Sequence, residues 1–288
     1  MSKFWRALLP LALLVVGLLP AHLRGDEAKP TLLVTVAPLA FYADRLAGDL
    51  ITIESLVPPG ANPHAFEPTP KQVMRAASAI AWFQVGELFE KRISASMRSR
   101  NPALVEVNLL NAIPILLESN CPHCRHHAEG RDPHIWLSAR SGQKIAAVMA
   151  STLSTLLPES ANLIDERLAT LTVELQTLDS ELSALLAPYK GSALLVSHAS
   201  FGYFCHDYGL TQRSIEIEGK EPTARQFAEL LKAARGFGIR CVILQPQYSS
   251  KGAELVAREL KLPTRTIDPM STHIEETLRA LGSCVATP

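Results

Sequence analysis

The sequence predicts two α/β lobes joined by one long helix, and three observations carry that prediction. Short β-branched runs alternate with helix-like segments from Thr31 to about Leu110, and the alternation restarts near Ser192 and continues almost to the end. Between the two stretches, from Ser160 to Ala187, runs a single apolar stripe with no break. Alternating strands and helices favour a largely parallel sheet covered on both faces. At 288 residues, 47% of them hydrophobic, the chain can bury one large core or two ordinary ones. Its 28 Lys and Arg balance 28 Asp and Glu, whereas a nucleic-acid partner would ask for a basic excess.

Residues 1–25 read as a signal peptide rather than part of the fold. Lys3 and Arg6 precede the apolar run Ala7–Leu19, which is followed by Pro20 and Ala21. The alternative, a membrane anchor, needs roughly 20 apolar residues, and this run is shorter and contains Pro10. Cleavage is expected between Ala21 and Asp26. No cysteine follows the run to take a lipid. Removing the segment takes Lys3, Arg6 and Arg24 from the 28 basic residues and leaves 25, a mildly acidic exported chain.

The first lobe is expected over 26–158. TLLVTV (31–36), ITIESLV (51–57), AIAWFQV (79–85) and ALVEVNLL (103–110) read as strands. Between them lie a helix opened by Pro38 and closed by Gly48, a short helix from Lys71, and a third helix over 87–100. A Pro-rich loop, PPGANPHAFEPTP, occupies 58–70. A further helix is expected from about Ser141 to Leu157, ended by Pro158.

The linker, 159–188, differs in kind. Ile164, Leu168, Leu171, Leu175, Leu178, Leu182 and Leu185 recur at alternating spacings of four and three. This makes one apolar stripe on a helix about 40 Å long. So regular a heptad could form a dimeric coiled coil, but Pro158 and Pro188 bracket only about three heptads, which favours a helix lying along its own protein. The second lobe, 189–288, has strands at 192–198, 213–218, 241–246 and 264–268. Helices are expected over 201–209, 222–238, 249–260 and 273–284.

The densest chemistry lies in CPHCRHHAEGRDPHIW, Cys121 to Trp136, with Cys121, Cys124, His123, His126, His127 and His134 in one segment. Imidazole and thiolate suit zinc and its neighbours. Three further residues sit where strands or loops end: His64 in the Pro-rich loop, His198 after LLVS, and Asp268 before Pro269. In open α/β sheets ligands bind outside the carboxyl ends of the strands. His64 and His134 from one lobe, and His198 and Asp268 from the other, would therefore face each other across the cleft. Three neutral imidazoles and a carboxylate form a plausible zinc set. Export makes paired thiols the default, yet Cys121, Cys124, Cys205, Cys241 and Cys284 are five, so at least one is free or metal-bound. Cys205, within an apolar helix, reads as a small buried hydrophobe.

PPGANPHAFEPTP, DPHIWLS, VSHASFGYF and IDP, in that order and with a long helix between the second and third, resemble segments of the zinc-uptake ABC-transporter substrate-binding proteins, the ZnuA/TroA-like extracytoplasmic metal receptors. The resemblance covers essentially the whole mature chain. It implies two Rossmann-like lobes joined by a rigid helix, with one metal between them held by His64, His134, His198 and Asp268. Manganese-binding relatives place Glu where this chain has His198. Exchanging a hard carboxylate for imidazole moves the site toward zinc, with nickel and copper as competitors in vitro. The resemblance also implies an accessory loop before His134, here Glu118–Arg131. Its Cys121–Cys124 pair could be a disulfide, could capture metal with His123, His126 and His127, or could be inert. It implies in addition a disulfide between Cys241 and Cys284.

The expected function is therefore capture of zinc, as cargo, outside the cytoplasm and its delivery to the membrane permease of an ABC importer by a soluble, monomeric, non-catalytic protein. Acidification should weaken binding, because protons compete with metal for imidazole. The alternatives are a manganese-binding member of the same family and a secreted zinc hydrolase. Against the hydrolase, a catalytic zinc keeps an open position that Asp268 would close, and no HExxH is present. Phe66, Trp136 and Phe201 lie two or three residues from expected ligands and would be either walls of the site or ordinary core aromatics.

Overall fold

A computed structural model describes residues 29–114, 131–216 and 222–287. The expected signal segment, 1–25, and all of the 118–131 loop except Arg131, including Cys121, His123, Cys124, His126 and His127, lie outside the described residues.

The N-terminal half contains β1 (Thr31–Val34), α1 (Pro38–Ala47), β2 (Thr52–Ser55), α2 (Pro70–Ala76), β3 (Ala81–Gln84), α3 (Leu88–Arg100), β4 (Val105–Asn108) and α4 (Ala139–Leu156). The long helix α5 (Ala161–Leu186) follows. The C-terminal half contains β5 (Ala193–Val196), α6 (Gly202–Tyr208), β6 (Thr211–Ser214), α7 (Ala224–Ala234), β7 (Ile239–Leu244), α8 (Lys251–Leu260), β8 (Thr264–Thr266) and α9 (Ile274–Ala286). Each half builds one parallel four-stranded sheet, ordered β2-β1-β3-β4 and β6-β5-β7-β8. The two orders are the same. Each reverses direction beside its first strand, the place where doubly wound sheets open a ligand crevice.

Local chemistry explains several boundaries. Thr69 and Thr223 each form a capping box, with Gln72 and Gln226, that starts α2 and α7. Ser138 caps α4 by accepting from the Ser141 amide at 3.0 Å. Pro38 opens α1. The strand read over 213–218 runs instead from Thr211 to Ser214, because β6 pairs with β5 from Ala193↔Thr211 to Val196↔Ser214. Ile215 and Glu216 follow its end, although their amides still bond to Val196 O at 2.9 Å and Ser197 O at 3.2 Å, and residues 217–218 lie outside the described residues.

The long helix lies along its own protein, packed on α1, α4 and α9. Ile164, Leu171, Leu175, Leu178 and Leu182 are buried and Leu168 is half-buried, as the stripe predicts. Leu185 is 41% exposed, however, and Leu186 is buried in its place. A strict heptad slips by about 20° per repeat on a straight α-helix, so by the third repeat the apolar face has moved on one residue. Gly282 lets α9 approach: a Cβ there would stand 2.7 Å from Leu182 Cδ2. Ion pairs brace α5 from both sides, Arg45–Glu174 and Arg167–Asp49 toward the first lobe and Arg279–Glu181 toward the second.

One hydrophobic core consequently runs through both lobes, from Leu32, Val34 and Trp82 through Leu171 and Leu178 to Leu194, Cys241 and Leu278. A second, smaller core lies between the outer face of the C-terminal sheet and α7 and α8, around Leu195, Val242 and Val256. Cys241 of β7 and Cys284 of α9 form a disulfide, and Cys205 is buried and free. Among the described residues no helix is long and apolar enough to cross a membrane.

The stripe makes a direct prediction. Leu175→Ala should destabilise the protein by about 2–5 kcal/mol, the range for emptying a buried leucine site, whereas Leu185→Ala should cost less than about 1 kcal/mol. Chemical denaturation of the two variants measures the contrast, and equal costs would contradict it.

Candidate metal centre

Two short turns of the same design place the first two histidines. In Asn62-Pro63-His64 the Asn62 side chain accepts from the His64 amide at 3.0 Å, and in Asp132-Pro133-His134 the Asp132 side chain accepts from the His134 amide at 2.9 Å. Asx residues close such turns on the backbone two positions ahead, and proline presets the intervening φ. His198 lies two residues beyond β5, with its amide held by Gln245 Oε1 at 2.6 Å. A third Asx-Pro turn, Asp268-Pro269-Met270, follows β8, and Asp268 Oδ1 accepts from the Met270 amide at 2.8 Å.

His64, His134 and His198 come together, each offering one ring nitrogen, with these atoms within 4.8 Å of one another. The Nε2 atoms of His64 and His198 are 3.1 Å apart. Two nitrogens on one tetrahedral zinc, each at about 2.05 Å, would stand roughly 3.3 Å apart. The ring centroids lie 5.0, 5.2 and 5.5 Å from each other. His134 and His198 are buried, and His64 keeps 17% of its side chain exposed, on the solvent side of the group.

Each Nδ1 faces a carboxylate. Glu87 lies within 3.0–3.3 Å of His64 through its two oxygens, Asp132 at 2.8 Å from His134, and Glu216 at 2.9 Å from His198. A carboxylate at Nδ1 accepts the N–H there and so leaves Nε2, with its lone pair, as the atom offered to a metal. Asp132 does both jobs, since Oδ1 also accepts the His134 amide. Further contacts fix the rings. Tyr248 stacks on His198 at 4.2 Å and 9°, and Trp136 stands 5.4 Å from His134. Trp136 Nε1 reaches across to Pro269 O at 2.7 Å, and Tyr203 Oη to Asp132 O at 3.1 Å, so each lobe grips an Asx-Pro turn of the other.

The four expected ligands do not all converge. Asp268 lies outside the three-histidine group, and the two hydrogen bonds to its side chain, from Gln247 Nε2 at 2.7 Å and from the Met270 amide, fall on Oδ1. Of the three expected aromatics, Trp136 lines the site, Phe201 is wholly buried, and Phe66 packs on Phe89 at 5.3 Å. Sequence reading missed Glu87, Asp132, Glu216, Gln245, Gln247 and Tyr248. Asp132 carried a signal, because DPH repeats the form of NPH. Glu216 was hidden inside an apparent strand.

Beneath Glu87, Glu90 is buried and accepts from Thr35 Oγ1 and from the amides of Val85 and Gly86. Burial outweighs these donors, and with the neighbouring charge of Glu87 it pushes the carboxyl up to about 7. The hydrogen bonds tie α3 to the end of β3, where the chain turns into Glu87.

Paired parallel α/β lobes, welded by a long helix and carrying a histidine cluster at their strand ends, define the class of two-lobed metal-binding receptors. The match to known proteins is specific. Residues 32–280 match the model of the family described as ZnuA, zinc-uptake complex component A, periplasmic. The chain belongs to this ZnuA family, whose members are substrate-binding components of uptake complexes. It is 26% identical to a putative metal-binding protein of Chlamydia muridarum, over 97% of this chain and 99% of that protein. It is 27% identical to the zinc-binding protein AdcA of Streptococcus pyogenes over 88% of this chain, and it spans about half of AdcA's length. A crystal structure of ZnuA superposes with a TM-score of 0.81 at 28% identity, covering 90% of this chain and 98% of that one.

Glu90 gives the metal-free protein a pH dependence. Its folded pKa lies above the ordinary 4.5, so its contribution to stability is fully present below about pH 4.5 and is lost as pH rises through about 7. The loss amounts to up to about 3 kcal/mol. Glu90→Gln should remove this part of the slope. Thermal unfolding of both proteins between about pH 5 and about pH 8 should show their stabilities diverging with pH, and parallel curves would contradict the assignment.

Proposed function

We propose that this chain captures zinc outside the cytoplasm and hands it to the membrane permease of an ABC importer. His64, His134, His198 and Asp268 are the ligands in this reading. The supporting observation is the convergence of three histidines, each with Nδ1 against its own carboxylate and the donor atoms within 4.8 Å. Three imidazoles with carboxylate partners suit a borderline-soft, tetrahedral ion better than manganese, which prefers oxygen. The zinc-binding relative AdcA supports the same cargo.

In this reading the protein is exported by residues 1–25 and acts as a soluble monomer. Residues 26–158 and 189–288 form its lobes, and 159–188 joins them. The 118–131 loop, with Cys121, His123, Cys124, His126 and His127, is accessory. Zinc sheds its water as it enters past the exposed edge of His64, and Asp268 closes the fourth position. The protein has no catalytic role, because closure leaves no place on the metal for a reacting water.

Titration calorimetry tests the ligand set. His64→Ala and His198→Ala should each weaken zinc binding by at least about 100-fold, beyond the 10–100-fold typical of losing an outer partner. Unchanged affinity in both variants would remove the site. Deleting 118–131 should leave one tight site, and zinc-dependent ester hydrolysis by the intact protein would favour an enzyme instead.

A further inference from the structure

We infer that Gln247 is a specificity-determining residue: by occupying one oxygen of Asp268, it limits that carboxylate to a single bond to metal and so favours four-coordinate zinc over larger, oxygen-preferring cations. The inference rests on the reading of Asp268 as a ligand and extends it.

The geometry is specific about which oxygen is used. Gln247 Nε2 donates to Asp268 Oδ1 at 2.7 Å, and the Met270 amide donates to the same atom at 2.8 Å. A carboxylate oxygen has about two lone-pair positions, so these two donors fill Oδ1. Only Oδ2 is left to approach an ion. The amide orientation is fixed by chemistry, since Oε1 of Gln247 turned toward the carboxylate would set acceptor against acceptor. Oε1 is buried and has no hydrogen-bond partner among the described residues.

The consequence concerns coordination number. Zinc is satisfied by four ligands in a tetrahedron. Manganese and calcium prefer more oxygen ligands, and a carboxylate bound through both oxygens is the simplest way to add one. A carboxylate with one oxygen already engaged cannot do this. Two other members of the β7–α8 turn act on the same half of the site: Gln245 holds the His198 amide, and Tyr248 stacks on the His198 ring. Gln247 is the member that acts on ligand denticity.

The test uses the full mature chain with three variants, Gln247→Met, Gln247→Leu and Asp268→Ala, with zinc, manganese and cobalt alone as probes. Gln247→Met is nearly isosteric and lacks the donor, and Gln247→Leu provides a second apolar replacement if the first folds poorly. Either should weaken zinc by about 10-fold while manganese is unchanged or tighter, which narrows the preference. Cobalt-loaded protein should lose the intense visible bands of a four-coordinate ion in favour of the weaker bands of a higher-coordinate one. If Asp268→Ala leaves zinc affinity and the cobalt spectrum unchanged, Asp268 is not a ligand and the inference falls with that reading. If Asp268→Ala weakens zinc but the Gln247 variants keep the wild-type cobalt spectrum and metal preference, the ligand reading stands and the role given to Gln247 is wrong. Equal weakening of zinc and manganese with an unchanged spectrum would show a purely structural residue and would also overturn it.

Discussion

The buried face of α5 is the constraint on which the rest of the molecule depends. Its leucines belong to the same core as the strands of both sheets, and its charged residues pair with arginines and an aspartate on either side. Two lobes that met only through a polar cleft would move by default. Here the apolar core passes continuously from one to the other, so separating the lobes would expose leucine surface at about 25 cal/mol for each square ångström. The histidines are thus held near one another by packing far from the cleft, and the contacts at the cleft itself, Trp136 to Pro269 and Tyr203 to Asp132, refine their placement.

Given fixed lobes, the site is assembled from the loops that follow parallel strands. Each sheet brings its carboxyl ends to one rim, and the rims supply the clustered histidines and their acidic partners. The pairing of every Nδ1 with a carboxylate settles which nitrogen is presented to the cleft. It also sets three acidic side chains, Glu87, Asp132 and Glu216, behind the imidazoles.

Much of this was legible in the sequence. Among the described residues, the eight strands and nine α-helices were placed within a few residues, because the central strands β1, β3, β5 and β7 are apolar runs and many of the helices carry proline, threonine or glycine at an end. The three histidines were found by their positions at strand ends. What was not legible has identifiable causes. Leu185 and Leu186 exchanged places because a heptad and an α-helix differ in period by a small angle that accumulates over three repeats. Glu216 was read into a strand because the alternation of Ile and Glu carries on past Ser214, and the Glu216 amide still bonds to Ser197 O just beyond the last paired residue of β5. Gln247 and Tyr248 act through side-chain direction, which no linear pattern encodes. Asp268 was legible as a strand-end carboxylate, but its commitment of one oxygen to Gln247 and Met270 was not.

The three Asx-Pro turns have a thermodynamic consequence. In each, a side-chain oxygen is tied to an amide two residues ahead and a proline fixes the torsion between them. Asp132 and Asp268 are therefore immobilised when the chain folds, and the backbones of His64 and His134 with them. Ordering a free side chain at the moment of binding would subtract about 0.5–1.5 kcal/mol from affinity for each one held. In this protein that entropy is surrendered during folding, so an incoming ion meets groups with little freedom left to lose.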